Sequence, residues 1–380
     1  MPHREAMTVK TIKKGHKMLR PPTTRLVSAA AVAGTVCAMG ATAALAASAA
    51  TWSGPSKPVP GALTNSSPAL STVTFPNPIG QGVIAAWRGR GVAGHIFFKY
   101  RTNSTQEWSK LGELSGALTS SAPAIGSYTD PFGRGAVLIV WAGHEDRHIW
   151  YAQGETKADG TIGFTKPAIL PATVDHATTL NAPTVFFPDH KNVVLVGWRG
   201  PANHVRYSVG IPKGRNFSWS QSHVVPGNPP SPTSVHCMNA PSTSATPAVA
   251  EQTTGTSSGL IYVFWKQLGT HDIFYSTTTD DHATDWSHLT WTGPTQVPGA
   301  VALTAPAASV PTVNSTGPLL LAYKAPFSTQ VRFQTLNGTT WSAFANVPGA
   351  HTAVPPALLR KILATTTPGT IGNIVLFVYG

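Results

Sequence analysis

Five aromatic residues occupy equivalent positions in a repeating pattern, and four of them are followed by a basic residue. The five pairs are Trp87-Arg88, Trp141-Ala142, Trp198-Arg199, Trp265-Lys266 and Tyr323-Lys324. An aromatic ring can stack on the apolar face of a sugar, while a cation beside it can bind hydroxyl groups or an acidic substituent. The pattern therefore predicts that these side chains bind a ligand; the alternative is that the rings fill the space between repeats.

Histidine begins the following strand in three repeats, at His95, His148 and His204, and Asp272 and Gln330 fill the same slot in two others. Imidazole nitrogens could contact a ligand or a metal ion, and His148 joins the predicted ligand-binding set. No His-x-x-x-His pair or clustered acid accompanies the three histidines, so no metal site is predicted. The ordinary alternative is a polar residue that caps the strand.

Paired carboxylates would be required if the protein hydrolysed glycosidic bonds. The candidates are Glu107, Glu113, Glu145, Asp146, Glu251, Asp272, Asp280, Asp281 and Asp285. Turn and loop positions offer an ordinary explanation for several of them. We find no phosphate-binding glycine loop and no nucleophile elbow, so no catalytic residue is predicted.

Six copies of one short motif divide the chain and position these residues. Each copy has a proline between small residues followed by an apolar residue, and the prolines are Pro68, Pro123, Pro183, Pro247, Pro306 and Pro356. Their spacing of 50 to 64 residues is typical of one blade of a β-propeller. Each motif therefore predicts the start of a blade.

Three further strands follow the entry motif in most copies. The first is an apolar run that ends in an aromatic residue, as in Val83 to Trp87, and the second alternates, as in His95-Ile96-Phe97-Phe98. These patterns predict a buried strand and a half-buried strand. The last strand runs to a Val-Pro-Gly-like turn, as in Trp341 to Gly349; its proline favours the outermost position because proline cannot donate to a ladder.

The two ends of the chain carry complementary parts of a sixth unit. Trp52 to Gly61 reads as a closing strand with no inner strands before it, and the motif at Pro356 has no closing strand after it. The sequence therefore predicts an all-β fold, a single six-bladed β-propeller over residues 50–380 whose last blade is closed by the N-terminal strand. A third strand for this blade is not recognisable; a three-stranded blade, a strand from the Ala-rich stretch before Trp52 and a shortened chain all fit.

Residues 1–49 have the pattern of a secretory signal peptide. Seven basic residues precede an apolar stretch from Leu26 to Ala46, and small-x-small sites end at Ala46 and Ala49. This predicts a secreted, extracellular protein with no stable membrane insertion after cleavage. Removal of the segment would lower the formal charge from +12 to +6 and leave Cys237 as the only cysteine, so no internal disulfide is predicted.

Together, the proline entry, the Trp-Arg-Gly strand end, the aromatic strand and the Trp-Ser closing strand resemble secreted bacterial propellers of the sialidase-like superfamily and the repeat lectins allied to fucose-binding lectins. The resemblance spans about residues 52–380 and implies a six-bladed propeller that recognises carbohydrate. A catalytic sialidase would carry an arginine triad, a Tyr/Glu pair, an acidic aspartate and several Ser-x-Asp-x-Gly-x-Thr-Trp boxes. Only Ser276 to Trp286 approaches such a box, and it lacks the glycine, which weakens any transfer of catalysis to this chain.

These observations favour a secreted, lectin-like propeller that recognises extracellular or cell-wall glycans through repeated sites, whose multivalency would strengthen weak individual contacts. A sialidase-like glycoside hydrolase with one central site is the first alternative, and a protein-interaction scaffold is the second. The basic charge suits acidic surfaces or glycans. Nothing in the sequence predicts a cofactor or nucleic-acid binding.

Overall fold

The computed structural model describes residues 7–13, 51–56, 59–91, 94–102, 107–130, 132–171, 177–179, 181–188, 192–214, 216–226, 242–253, 259–279, 289–310, 317–361 and 373–379. This part of the chain is all-β, with one short 3₁₀ turn at Pro201–Asn203. No helix within these ranges is long and apolar enough to cross a membrane. The strands form six antiparallel sheets, which we number as blades 1 to 6.

Two strands come from the N-terminal segment: β1 (Met7–Lys13) and β2 (Thr51–Ser56). Blade 1 contains β3 (Ala69–Thr74), β4 (Gln81–Arg88), β5 (His95–Thr102) and β6 (Gly112–Leu118). Blade 2 contains β7 (Ala124–Thr129), β8 (Gly135–Ala142), β9 (Ile149–Thr156), β10 (Ile162–Phe164) and β11 (Ala168–Ile169). Blade 3 contains β12 (Thr184–Phe186), β13 (Val194–Arg199), β14 (Val205–Lys213), β15 (Asn216–Trp219) and β16 (His223–Val224).

Blade 4 contains β17 (Ala248–Thr253), β18 (Gly259–Lys266), β19 (Asp272–Thr279) and β20 (Thr295–Val301). Blade 5 contains β21 (Ala307–Ser309), β22 (Leu319–Lys324), β23 (Gln330–Asn337), β24 (Thr340–Trp341) and β25 (Ala345–His351). The last two strands are β26 (Ala357–Lys361) and β27 (Asn373–Tyr379). Five blades are thus built from contiguous chain, and blade 6 combines the two ends.

The innermost strands close into a ring. Strands β3, β7, β12, β17, β21 and β26 each contact the next, and β26 contacts β3. They surround a central channel of about 360 Å³ lined by all six entry prolines. The β-propeller class predicted from the sequence is therefore confirmed, and each entry proline begins one of the six sheets.

Blade 6 closes differently from the sequence prediction. Its strand order is β2-β1-β27-β26, so the N-terminal strand Thr51–Ser56 joins the blade but does not pair with the C-terminal strands. Instead β1 lies between them and pairs with both β2 and β27. The third strand that the sequence left unassigned is therefore supplied by Met7–Lys13, from the segment with the signal-peptide pattern.

The second strand of each contiguous blade is largely buried, as its apolar sequence predicts. Every position of β8 and of β22 is buried. The third strand alternates: Ile96 and Phe98 of β5 are buried, whereas His95 is exposed and Phe97 is half-buried. Side chains on the two faces of a strand therefore enter different spaces between blades.

In blades 4 and 5 the Val-Pro-Gly segment lies inside the outermost strand rather than in a turn at its end. In blade 4, Asp272 pairs with Val301 of β20, and Phe274 pairs with Gln296, so β20 carries extra residues between the two pairs. Gly299 there has a φ of 66°, a left-handed conformation that glycine adopts without steric cost. The predicted turn is therefore a β-bulge.

The turns between second and third strands are held against the links that join successive blades. The residue before the polar position that holds His95, His148, His204 or Asp272 has a φ between 58° and 66°, at Gly94, Arg147, Asn203 and His271. The carbonyl groups of these residues accept backbone N–H groups from the links, at 2.7 to 2.9 Å. This end of the ring, which we call the rim face, therefore gathers the strand ends that carry the predicted site residues.

Candidate functional site

The five strand-end aromatics, which we call the inner ladder, lie in the hydrophobic cores between blades. Trp87, Trp141, Trp198, Trp265 and Tyr323 are at most 1% exposed. A ring buried in this way cannot stack on a sugar. The stacking role predicted for these residues therefore does not fit the structure, and the alternative role in packing does.

Two of the strand-end cations are buried and bind backbone carbonyl groups of the links between blades. The Lys266 Nζ donates to the Leu303 carbonyl at 3.2 Å, and the Lys324 Nζ donates to the Ala353 carbonyl at 3.4 Å. Burial lowers the pKa of Lys266 below its ordinary value. Both ammonium groups therefore hold the ring together and present little surface to a ligand.

The two arginines of the predicted set are half-buried on the rim face. Arg199 is fully engaged: its Nε donates to Asn203 and one Nη donates to Asn181, both at 2.9 Å. Among the described residues, the Arg88 side chain makes one hydrogen-bond contact, a long one of 3.5 Å with Asn65. Among the predicted cations, Arg88 therefore has the geometry best suited to turn toward a ligand.

A second ladder of large side chains lies beside the inner one, on the third strands. The cross-strand pairs are Trp87 with Phe97, Trp141 with Trp150, Trp198 with Arg206, Trp265 with Phe274 and Tyr323 with Arg332. All five third-strand members, which we call the outer ladder, are half-buried. A Cβ on Gly89 would lie 2.3 Å from the Phe97 ring, so the glycine after Trp-Arg makes room for this ladder.

In blade 1 the outer ladder forms an exposed cluster, cluster 1, of His95, Phe97 and Glu113. The His95 Nδ1 lies 2.8 Å from the Glu113 Oε1, and these side chains are 45% and 47% exposed. The rings of His95 and Phe97 lie 6.4 Å apart. An aromatic ring, an imidazole and a carboxylate are thus presented together at the rim.

Blade 2 repeats this composition in cluster 2, formed by Asp146, His148 and Trp150. The Trp150 Nε1 donates to the Asp146 Oδ2 at 3.0 Å, and the His148 backbone N–H donates to Oδ1 of the same carboxylate at 3.1 Å. The His148 Nδ1 lies 3.3 Å from the Asp146 Oδ2. Asp146 therefore orients the Trp150 ring and holds the backbone of His148 beside it.

Blades 3 and 5 carry arginine in the outer ladder instead of an aromatic ring. The Arg206 guanidinium donates to the Ser222 hydroxyl at 3.1 Å. The Arg332 guanidinium lies 4.4 Å from the centre of the exposed Phe344 ring, within the range of a cation–π interaction. The pairing of an aromatic ring with a cation that the sequence predicted at the inner ladder is thus found at the outer ladder of blade 5.

The three histidines at equivalent positions have different surroundings. His95 and His148 contact carboxylates, whereas burial, with a smaller contribution from the charge of Arg206, lowers the pKa of His204. Within the described ranges, no group of three or more His, Cys, Asp or Glu side chains could hold a metal ion.

The other candidate carboxylates are dispersed. Glu107 and Glu145 are exposed, and Asp272 is half-buried at the start of β19. Glu251 is 2% exposed and is the single carboxylate among the described residues that line the central channel. This lining therefore supplies one carboxylate where acid–base glycoside hydrolysis uses two. Asp280, Asp281, Asp285 and Cys237 lie outside the described residues.

Sequence reasoning missed Phe97, Trp150 and Phe344 as candidates. For Phe97 and Trp150 a signal was present, because period-two alternation places the third residue of the strand on the same side as its polar first residue. The ion pair of His95 with Glu113 had no such signal: it joins neighbouring strands across 18 residues of chain.

No protein family and no curated protein matches the chain. Among solved structures, a mutant of AofleA of Arthrobotrys oligospora, in which three arginines are replaced by alanine, is similar, with a TM-score of 0.52, 12% identity, and 78% of this chain and 77% of that chain covered. The GH93 α-L-arabinofuranosidase of Fusarium graminearum, solved with arabinobiose, has a TM-score of 0.50, 10% identity, and coverage of 80% and 91%. Aleuria aurantia lectin, solved with α-methyl-L-fucoside, has a TM-score of 0.47, 15% identity, and coverage of 75% and 80%. The two highest scores place the chain among β-propellers; the family expected from the sequence is not assigned by these likenesses.

Proposed function

We propose that the protein is a lectin-like propeller that binds carbohydrate through clusters 1 and 2 on the rim face. The observation that carries the proposal is that two neighbouring blades place a histidine, and two residues later an aromatic ring, at equivalent positions, each beside a carboxylate. The carboxylate comes from β6 in blade 1 and from the β8–β9 turn in blade 2. Each cluster sets a half-buried aromatic ring beside an exposed carboxylate and an imidazole. The ring would contact the apolar face of a sugar, and the carboxylate would accept hydrogen bonds from its hydroxyl groups.

Two shallow sites on adjacent blades suit a polymeric or clustered glycan better than a free monosaccharide. When one sugar unit is bound, the second site meets a neighbouring unit at high effective concentration, so the avidity exceeds either affinity. The complex of the similar Fusarium propeller with arabinobiose supports sugar as the ligand class by analogy of fold.

A glycan array with the full-length chain tests this proposal. Trp150→Ala should remove the ring of cluster 2, and Asp146→Asn should remove its charge, so both should weaken saturable binding. Phe327→Ala is the matched control, because Phe327 is 98% exposed in a blade 5 turn and lies outside both clusters. Unchanged array binding by both cluster variants would exclude cluster 2 as a sugar site, and the absence of all glycan binding would favour a protein-interaction scaffold.

We also propose that the chain is exported and cleaved before residue 50. Cleavage would remove β1, so β2 and β27 would lose the strand that pairs with both. N-terminal sequencing of protein recovered from the medium tests this directly. A first residue between Ala47 and Ala50 is expected, whereas an intact N-terminus would show that β1 is kept as a structural strand.

A further inference from the structure

Blade 2 holds a second cavity at the end of the ring opposite the rim face. The cavity has a volume of about 300 Å³ and lies between the two hairpin turns of the blade, next to Gly214 of blade 3. This volume is at the lower end of the range for small-molecule sites. Clusters 1 and 2 lie at the rim face, so this cavity is separate from the site proposed above.

The residues that line the cavity differ in type from their counterparts in blade 1. Strand pairing makes Tyr128, Asp130, Gln153 and Glu155 of blade 2 the counterparts of Val73, Phe75, Tyr100 and Thr102 of blade 1. In blade 1 the rings of Phe75 and Tyr100 pack against each other, 5.6 Å apart. Blade 2 has therefore exchanged an aromatic contact for hydrogen-bonding groups at one end of an otherwise apolar repeat.

A buried carboxylate organises one wall of the cavity. Asp130 accepts the backbone N–H groups of Phe132 and Arg134, at 2.9 and 2.8 Å, and the Arg134 guanidinium at 2.8 and 2.9 Å. Burial opposes ionisation of Asp130, but these hydrogen bonds outweigh it and lower its pKa. Arg134 also binds Glu155, so the guanidinium is clamped between two carboxylates.

The adjacent wall, two residues back along β7 and β9, offers neutral hydrogen-bonding groups and a ring. Tyr128 stacks on Phe187 of blade 3, with centroids 4.8 Å apart, and its hydroxyl accepts the Gln153 amide. Burial raises the pKa of Tyr128 to about 12, so the phenol remains a donor at neutral pH. The half-buried Phe164 ring completes this wall.

We infer that this cavity binds one small neutral polyhydroxylated molecule, a monosaccharide or polyol. The charged groups that line it are Asp130, Glu155, Arg134 and Lys157, whose formal charges cancel, so the cavity has no net attraction for a strongly charged ligand. Adjacent donors, acceptors and aromatic surface match the alternating hydroxyl groups and apolar C–H faces of a sugar. The inference rests on this cavity, at the border of blades 2 and 3, and does not depend on glycan binding at the rim face.

Titration of the full-length chain with a panel of neutral monosaccharides and polyols, followed by calorimetry and protein-observed NMR, tests the inference. Tyr128→Phe keeps the stack on Phe187 but removes the phenolic O–H, and should weaken binding of the selected ligand at least tenfold. Glu155→Gln should weaken it by a similar factor. Phe327→Ala, outside both clusters and outside this cavity, is the matched control and should leave this affinity unchanged. Glu113→Gln, in cluster 1 at the other end, serves to detect binding of the same ligand at the rim face.

Binding of no panel member, or equal affinity in the wild type and Tyr128→Phe, would overturn the inference. An equal loss in Glu113→Gln would place the ligand at the rim face instead. Thermal melts of all variants distinguish a lost contact from an unfolded blade. If Tyr128→Phe has a much lower melting temperature than the wild type, the affinity of Glu155→Gln provides the test instead. Glycan-array binding that persists in Tyr128→Phe would show that glycan binding at the rim face does not depend on this cavity.

Discussion

Two ladders of large side chains run around the ring next to each other, and they differ in exposure. Members of the inner ladder are at most 1% exposed, whereas their cross-strand partners in the outer ladder are half-buried. Trp141 and Trp150 are direct neighbours of this kind. Repetition of an aromatic residue therefore marks a packing requirement in the inner ladder, and variation among Phe, Trp and Arg marks the surface where blades can differ in function.

The largest effect expected from this comparison is on stability. Trp141→Ala should lower the free energy of unfolding by about 3–5 kcal/mol, because it leaves a cavity in the core between blades 1 and 2. Trp150→Ala should cost much less, since that side chain keeps solvent contact. Urea denaturation of both variants measures the difference. Equal losses would show that the two ladders have the same role.

The next largest effect on stability is expected from crowding between the two ladders at Gly89. Gly89→Ala should destabilise the protein by about 1–3 kcal/mol through overpacking, because its Cβ would meet the Phe97 ring at 2.3 Å. The displaced ring should also disorder cluster 1. Urea denaturation and the chemical shifts of His95 check both consequences. In blade 5 the corresponding residue is the buried Ala325. Ala325→Gly is the converse substitution; it creates no crowding and should cost only about 1 kcal/mol, from the lost methyl group and the added backbone freedom.

The sequence predicted the fold more fully than the site, and the ladders show why. Entry prolines, apolar runs and alternating strands are local patterns that recur six or five times, so the propeller could be derived from them. The inner ladder was prominent for the same reason, and its burial follows only when blades pack against each other. The contact of His95 with Glu113 and the placement of β1 in blade 6 depend on which strands become neighbours.

Glycan binding should depend on the outer ladder, and substitutions there should change stability little. Trp150→Ala and Asp146→Asn should each weaken glycan binding about tenfold, which corresponds to about 1.4 kcal/mol, while their urea midpoints stay close to that of the wild type. Calorimetry with the best array ligand measures the affinity. If affinity falls only in proportion to the unfolded fraction, cluster 2 has a structural role and the comparison between ladders fails.

The smallest effect concerns His204, which begins the strand that carries Arg206. Burial and then the nearby guanidinium lower the pKa of His204 below its ordinary value of 6.5. The unfolded chain therefore binds this proton more readily than the folded protein, so stability should fall as the pH drops below that value. His204→Gln, which introduces the residue found at Gln330 in blade 5, should remove this part of the pH dependence. Urea midpoints of both proteins measured across pH 5 to 8 test this, and parallel pH profiles would show that His204 is as open to solvent as His95.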